Sequence, residues 1–587
     1  MNKQKEVIII FKTHLDVGFT DYAENVVKKY LNNYIPQAIK VGYELKDTDT
    51  PFKWTVGSWL IDLALKNDTT GSVERAIQDG ILCWHALPFT THTEAMNQKL
   101  FEYGLNISKS LDRRFHKTTI GAKMTDVPGH TIGMIPLMKK NGIRFLHIGV
   151  NPATPLPKVP PLFKWRLDDE EITVMYQADY GEASEFEDFI IYFAHTGDNL
   201  GPQSAQTIID EYQRIKELYP NHTLRVGTID DIAKRIETLD NLPVIEKEIG
   251  DTWIHGIGTD PQKTSRYRKL LRHINGIEEI SLDLTDNLLC VPEHTWGMDL
   301  KTYFPFDKFY SHTEMEGLKE ERKTIEKSWE EQRNYVKKAE VLLGVEPDYP
   351  ITIPNTKDYV ATELPKDIDF EISWQIFDNS DYQRYQNDYM RSHVNWAIWD
   401  FTKVGLPDYN GGIYTARVSE AYKNGLRYLY KLEFETEIAE KYGLPYFYVE
   451  QKQENLKIQW FDKKVSRFPQ ACWFKLKGLE ENWKIQKMGR WISPLEIIGS
   501  PFIVGLDGGV KNSTTTIKSL DCALVAPFGR RLLTYDFDSH PQDMYFNLYN
   551  NIWNTNFPMW YTDDAMFRFE ITPCESYCDN KEEKAKV

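Results

Sequence analysis

The sequence predicts a multidomain chain: an N-terminal (β/α) barrel-like domain with a parallel sheet, a central all-α helical bundle and a C-terminal all-β sandwich. Three observations carry this. Over the first 260 residues short apolar runs alternate with amphipathic stretches, the pattern of a mostly parallel sheet wrapped in helices. From 261 to 345 the strand signals stop and two long, charged amphipathic stretches take over. Beyond Pro347, Pro350 and Pro354 the chain alternates strands with Gly and Pro turns. The domains are therefore drawn at 1–260, 261–345 and 346–573, with a polar tail at 574–587. A chain of 587 residues also exceeds the roughly 250–300 at which a single core stops growing.

In the first domain, strands are predicted at 6–11, 52–56, 81–86, 118–124, 145–150, 173–177, 189–195 and 224–226. Helices are predicted at 23–45, 59–65, 131–141 and 205–218, where apolar residues recur at helical spacing. The stretches 262–280 and 314–343 read as the bundle, and the run Lys319-Glu320-Glu321-Arg322-Lys323 as a solvated helical face. Gly411-Gly412 and Gly508-Gly509 mark turns of the β domain.

Composition narrows the partners. An excess of 86 acidic over 70 basic side chains opposes a nucleic-acid or membrane surface as the main partner. No apolar run approaches the ~20 residues that a bilayer span requires. The 16 Trp and 32 Tyr suit the mixed apolar and hydroxyl faces of sugars, and equally suit a large β core. Six cysteines make no disulfide framework: Cys83, Cys290, Cys472 and Cys522 read as buried thiols, Cys574 and Cys578 as tail residues. The N-terminus runs straight into an apolar strand without a signal peptide, so the chain as it stands reads as cytoplasmic. Removal of a signal peptide would instead make it periplasmic or secreted. A homo-oligomer is left open.

Chemistry-bearing residues gather at predicted strand ends. The string Lys12-Thr13-His14-Leu15-Asp16-Val17-Gly18-Phe19-Thr20 closes the first strand, and in extended backbone His14 and Asp16 share one side. An imidazole and a carboxylate converging there suit a zinc-like divalent ion. Asp126, in Met124-Thr125-Asp126-Val127-Pro128-Gly129-His130, repeats the placement. His255 lies in the Gly-rich loop 251–261, which also holds Asp260. A further cluster, Trp84, His85, His92 and Glu94, follows the third strand. Each of these also reads as an ordinary loop or turn residue.

The order of the motifs resembles the zinc-dependent retaining α-mannosidases of glycoside hydrolase family 38. The strings at 12–20, 294–299 (His-Thr-Trp-Gly-Met-Asp) and 547–551 (Asn-Leu-Tyr-Asn-Asn) look like a divergent bacterial branch described as a domain of unknown function. The resemblance implies one Zn2+ per chain held by His14, Asp16, Asp126 and His255, with Asp126 also the nucleophile. It implies sugar contacts from Trp84 and Glu94, with His85 and His92 beside them as further hydroxyl binders. The stretch 547–560, dense in Asn and aromatics, reads either as a loop that closes over a sugar or as part of an aromatic β core. His195, Asp260, His294 and Trp296 complete the expected substrate contacts.

One position departs from the family. Its acid/base is the second Asp of a Gly-Asp-Asp string, and here Gly197-Asp198-Asn199 puts Asn199 at that place. An amide has no proton to give at neutral pH. Asp198 is then the nearest catalytic carboxylate; His195, Asp179 and Glu182 are other candidates for a relocated acid. The expected function is a zinc-dependent retaining glycoside hydrolase acting on an oligosaccharide or glycan fragment. The alternatives are a metal-dependent carbohydrate lyase or transglycosylase, or a non-catalytic zinc-containing carbohydrate-binding protein.

Overall fold

The computed structural model describes residues 5–535 and 542–574. The predicted polar tail beyond Cys574, including Cys578, lies outside the described residues.

The N-terminal strands are β1 (Glu6–His14), β2 (Trp54–Gly57), β3 (Leu82–His85), β4 (Gly121–Asp126), β5 (Phe145–Val150), β6 (Leu162–Leu167), β7 (Glu170–Gln177), β8 (Ser184–Glu185), β9 (Phe189–Asp198) and β10 (Thr223–Val226). Where one sheet is predicted there are two. One runs β3-β2-β1-β9-β8, with β10 also on β1; the other runs from Val244–Ile245 through β6, β7 and β5 to β4. Pairing is parallel except for β8 on β9 and β6 on β7. The apolar run Val7–Phe11 is wholly buried, as a central parallel strand covered on both faces must be. The sheets meet where the Ala86 N–H donates to the Gly121 carbonyl, 2.9 Å, and the Gln177 amide donates to Ser184, 2.8 Å.

The predicted helix 23–45 forms as Ala23–Lys29 and Ile35–Leu45 around a widened π-turn at Tyr30–Tyr34. Pro36 explains it: proline lacks an N–H and its ring crowds the carbonyl four residues back, so the turn opens there. The central region is helical, with Pro261–Ile274, Leu282–Leu289 and Lys319–Leu343 as its longer members. The C-terminal region builds a ten-stranded and a six-stranded sheet with antiparallel pairing throughout. Their inner faces share one core, in which Trp374, Trp460, Phe474 and Phe569 are buried. Among the described residues no helix is long and apolar enough to cross a membrane.

The three regions interlock. Glu248–Gly250 pairs in parallel with Ile497–Gly499 of the β region. Lys487, fully buried, bonds to both Glu94 and Glu248. Glu94 therefore faces an ion pair and not a sugar. Lys487→Met leaves two buried carboxylates without their cation, a loss on the order of 3–5 kcal/mol. Differential scanning calorimetry is expected to show the melting temperature of this variant lowered by several degrees.

Candidate active site

The site lies where the parallel strands end, as expected for sheets of this kind. β1 ends at His14, β4 at Asp126 and β9 at Asp198, and Tyr180 follows β7. His14 and Asp198 are register partners, and a bulge between Thr13 and His14 re-aims the end of β1. Five non-glycine residues here have positive φ: Phe19 at 60°, Asp126 at 82°, Asp179 at 51°, Tyr180 at 63° and Asn199 at 52°. Such conformations persist only where the surroundings over-determine them, and they concentrate at functional sites.

His14, Asp16 and His294 form one buried group whose ligand atoms lie within 4.8 Å of one another. His14 Nε2 is 3.1 Å from Asp16 Oδ1, His294 Nε2 is 3.0 Å from the same oxygen, and the two imidazole nitrogens are 3.0 Å apart. The opposite ring nitrogens are anchored: His14 Nδ1 at 2.7 Å from the Thr125 hydroxyl, His294 Nδ1 at 2.7 Å from Glu293. Such outer partners turn the free nitrogens of metal-binding histidines inward. Asp16 Oδ2 is buried and has no hydrogen-bond partner among the described residues. Two inward nitrogens and an orphaned carboxylate oxygen fit a divalent metal.

Asp126 stands beside this group, its Oδ2 3.7 Å from His294 Nε2. Its Oδ1 accepts from the Tyr180 hydroxyl at 2.7 Å and from Asn151 Nδ2 at 2.9 Å. The same Tyr180 hydroxyl reaches Asp198 Oδ1 at 3.3 Å. One hydroxyl touching both carboxylates limits the separation of those oxygens to the sum of the two distances, about 6 Å. Burial, and then the charges of Asp16 and Asp126, push the Asp198 carboxyl up to about 7.

The two carboxylates open into a cavity of about 310 Å3. Its wall also takes Asp299, Lys301 and Asp400, with Lys301 held between the two aspartates, and an aromatic side made of Trp253, Trp396, Phe401, Trp553 and Phe557. Most of this aromatic side comes from the β region. Trp253 lies within the first 260 residues, as do Phe19 and Tyr180 elsewhere on the wall.

The structure thus assembles His14, Asp16 and Asp126 and adds His294, which the sequence reading places among the substrate contacts. His255 stands outside this group: its ring is buried near Trp553, with both nitrogens unpartnered among the described residues. The glycines around it serve packing, since a Cβ on Gly256 would lie 2.1 Å from the Phe557 ring. The one local sequence signal for His294 is Glu293 immediately before it, which supplies the carboxylate that orients the imidazole.

Asn199 is not at the reaction centre. Its Oδ1 accepts from the Asp16 N–H at 3.1 Å, and its Nδ2 donates to the Gly18 carbonyl and the Thr20 hydroxyl, each at 3.1 Å. It is a brace for the loop carrying Asp16, and its neighbour Asp198 lines the cavity.

The remaining expected sugar contacts lie off the cavity wall. Trp84 packs on Phe115 under Lys117, and His85 lies in the barrel interior near Lys12 and Lys123. His92 and Trp296 sit behind Phe557, one layer beneath the wall. His195 lies 3.4 Å from the Lys12 ammonium. Asp260 caps the helix Pro261–Ile274 and pairs with Arg333. Of the other acid candidates, Asp179 pairs with Arg391 at 2.6 Å, and Glu182 offers its backbone carbonyl to Gln177.

Comparison with known proteins follows the same line. A family model described as "Domain of unknown function (DUF5054)" matches residues 257–346. No curated protein matches. An α-mannosidase from Enterococcus faecalis V583 is similar in structure over 97% of this chain and 87% of its own, with a TM-score of 0.58 and 9% identity. A protein in glycosyl hydrolase family 38 from Enterococcus faecalis is similar over 98% of this chain and 86% of its own, with a TM-score of 0.55 and 8% identity. The fold accordingly resembles that of these two proteins, a mixed α/β architecture with parallel sheets followed by a large antiparallel region.

Proposed function

We propose that this chain is a metal-dependent retaining glycoside hydrolase of the α-mannosidase type. The observation that carries this reading is the pair Asp126 and Asp198, bridged by one tyrosine hydroxyl beside a buried His-Asp-His group. Retaining glycosidases hold their two carboxyl groups about 5–5.5 Å apart, inverting ones about 6.5–9.5 Å. An oxygen–oxygen limit near 6 Å is compatible with the closer, retaining arrangement. Of the neighbours with this fold, one is an α-mannosidase, and that glycone is the first to test.

His14, Asp16 and His294, with Asp126 alongside, would hold the metal, and two imidazoles with carboxylates favour zinc. When bound it supplies Lewis-acid stabilisation and a template for sugar hydroxyls. The chain's own residues do the rest. Tyr180 and Asn151 fix Asp126, whose carboxylate forms a bond to the anomeric carbon as the bond to the leaving oxygen breaks. Asp198, neutral at its raised pKa, gives its proton to that oxygen. Esterification then removes the Asp126 charge, one of the causes holding the Asp198 pKa high. Asp198 therefore becomes the more acidic carboxylate needed to take a proton from water in the second step.

The test is metal analysis of the purified protein with release of 4-nitrophenol from a panel of aryl glycosides led by the α-mannoside. The expected result is about one zinc per chain and chelator-sensitive release on one glycone. Absence of metal, or no turnover on any glycone, would sink the reading. His294→Ala is expected to lose the metal, because it removes one of the two imidazole nitrogens of the group. His255→Ala is expected to keep it; metal loss in the second variant and not the first would return His255 to the ligand set.

A further inference from the structure

The cavity wall contains polar atoms that nothing in the chain satisfies. Among the described residues Trp253 Nε1, Trp553 Nε1 and Asn556 Oδ1 are buried and without hydrogen-bond partners, and all three residues line the cavity. Two donors and one acceptor left unpaired are costly unless a ligand completes them.

Trp396 lines the same cavity and is 39% exposed, and Trp399, three residues on, is 37% exposed. Their helix, Asn395–Phe401, is fastened at both ends. Ahead of it, Arg391 donates through its backbone N–H to the Ala153 carbonyl at 2.9 Å and through its side chain to the Pro152 carbonyl at 2.8 Å. At its end Asn554 donates to the Trp399 carbonyl at 3.0 Å, and Lys403 Nζ donates to the Trp553 carbonyl at 2.6 Å. The exposed side chain of Trp396 is thus carried on a fixed backbone at the cavity wall.

We infer that Trp396 is the stacking platform for a sugar on the leaving-group side of the scissile bond, so that the substrate class is a di- or oligosaccharide and not a simple alkyl glycoside. This rests on the glycosidase reading above. The glycone occupies the deep end, where Asp126 and Asp198 act. The leaving group must face solvent, and Trp396 is the most exposed aromatic of the wall, with Phe19 half-buried and the others buried. A pyranose presents an apolar C–H face to an indole while its rim hydroxyls stay in water.

The experiment uses full-length, metal-loaded protein carrying Asp126→Asn, which holds substrate without turning it over. Isothermal titration calorimetry is run with methyl α-mannoside and with the α-1,2-, α-1,3- and α-1,6-linked mannobioses. At least one mannobiose is expected to bind about tenfold more tightly than the methyl glycoside, the scale of one aromatic contact. Adding Trp396→Ala should shrink that gap to about twofold and leave methyl α-mannoside affinity unchanged, and Trp396→Phe should restore part of it. Equal affinity for all four probes, or a gap that survives Trp396→Ala, would overturn the platform. Turnover of the aryl α-mannoside by the wild-type protein separates the two readings. With turnover, either result removes the platform alone; no turnover and no binding removes both.

Discussion

Asp126→Asn is expected to lower 4-nitrophenol release from the active aryl glycoside by about 10⁴- to 10⁶-fold, the range seen when a covalent nucleophile is removed. The amide keeps an oxygen to accept from Tyr180 and Asn151, which now hold the carboxylate at 2.7 and 2.9 Å. The side chain should therefore stay in place, and loss of rate would report lost chemistry and not a collapsed site. His14, Asp16 and His294 are untouched, so the variant should still load metal when it is supplied in excess, with affinity weakened by loss of the Asp126 carboxylate. Steady-state kinetics with metal analysis of the same sample checks both. A variant retaining even a tenth of the activity would exclude Asp126 as nucleophile.

Asp198→Asn is expected to divide substrates by leaving group. A disaccharide needs a proton on its departing oxygen, and kcat/KM should fall about 10²- to 10⁴-fold. A 4-nitrophenyl glycoside, whose leaving group is already acidic, should lose far less. The pH profile carries a second signature. The wild-type acid must be protonated to act and titrates at about 7, so kcat/KM on the disaccharide should fall as pH rises through that value. In Asp198→Asn that alkaline limb should vanish. Asn199→Asp is the useful contrast, because Asn199 faces the Asp16 loop; the change should not raise activity, and it loses the two bonds donated by Nδ2. An alkaline limb that persists in Asp198→Asn would move the acid role elsewhere.

Much of the frame is legible in the residue pattern alone. β1 reads as a strand because Val7 to Phe11 is an unbroken apolar run, and the strand Phe145–Val150 has the predicted bounds. The carboxylate and imidazole at the end of β1 follow from period-two geometry, and Asp126 follows from a strand ending at a Pro-Gly turn. Less legible are segments whose apolar pattern is weak or mixed. The helix Gln98–Phe115 buries one face among charged residues, and β6 alternates buried with half-buried positions.

The site is harder to read. His294 lies 280 residues from His14, and no local period relates the two. His255 has the right residue type in a Gly-rich loop, yet those glycines exist to let Phe557 and Asn550 approach the backbone. Asn199 occupies the expected place in a string. A one-residue difference at a strand end decides which side chain faces the cavity, and a positive φ turns Asn199 back toward its own loop. Trp84 and His85 end a strand and Glu94 lies beyond it, as sugar contacts would, but the strand and the Lys487 ion pair direct them into the core and the interface between regions.

The succession of α/β, helical and β regions, the strand-end placement of His14, Asp16 and Asp126, and an acidic, aromatic-rich composition are all written locally in the chain. Each depends on residues within a few positions of one another, where backbone period and chain order suffice. Packing of the folded regions is what brings His294 into the metal-binding group, sets Asp198 facing Asp126 across Tyr180, and carries Trp396 and Trp553 of the β region to the cavity. Contacts between elements hundreds of residues apart leave no periodic trace in the chain, because they are set by how the packed regions meet.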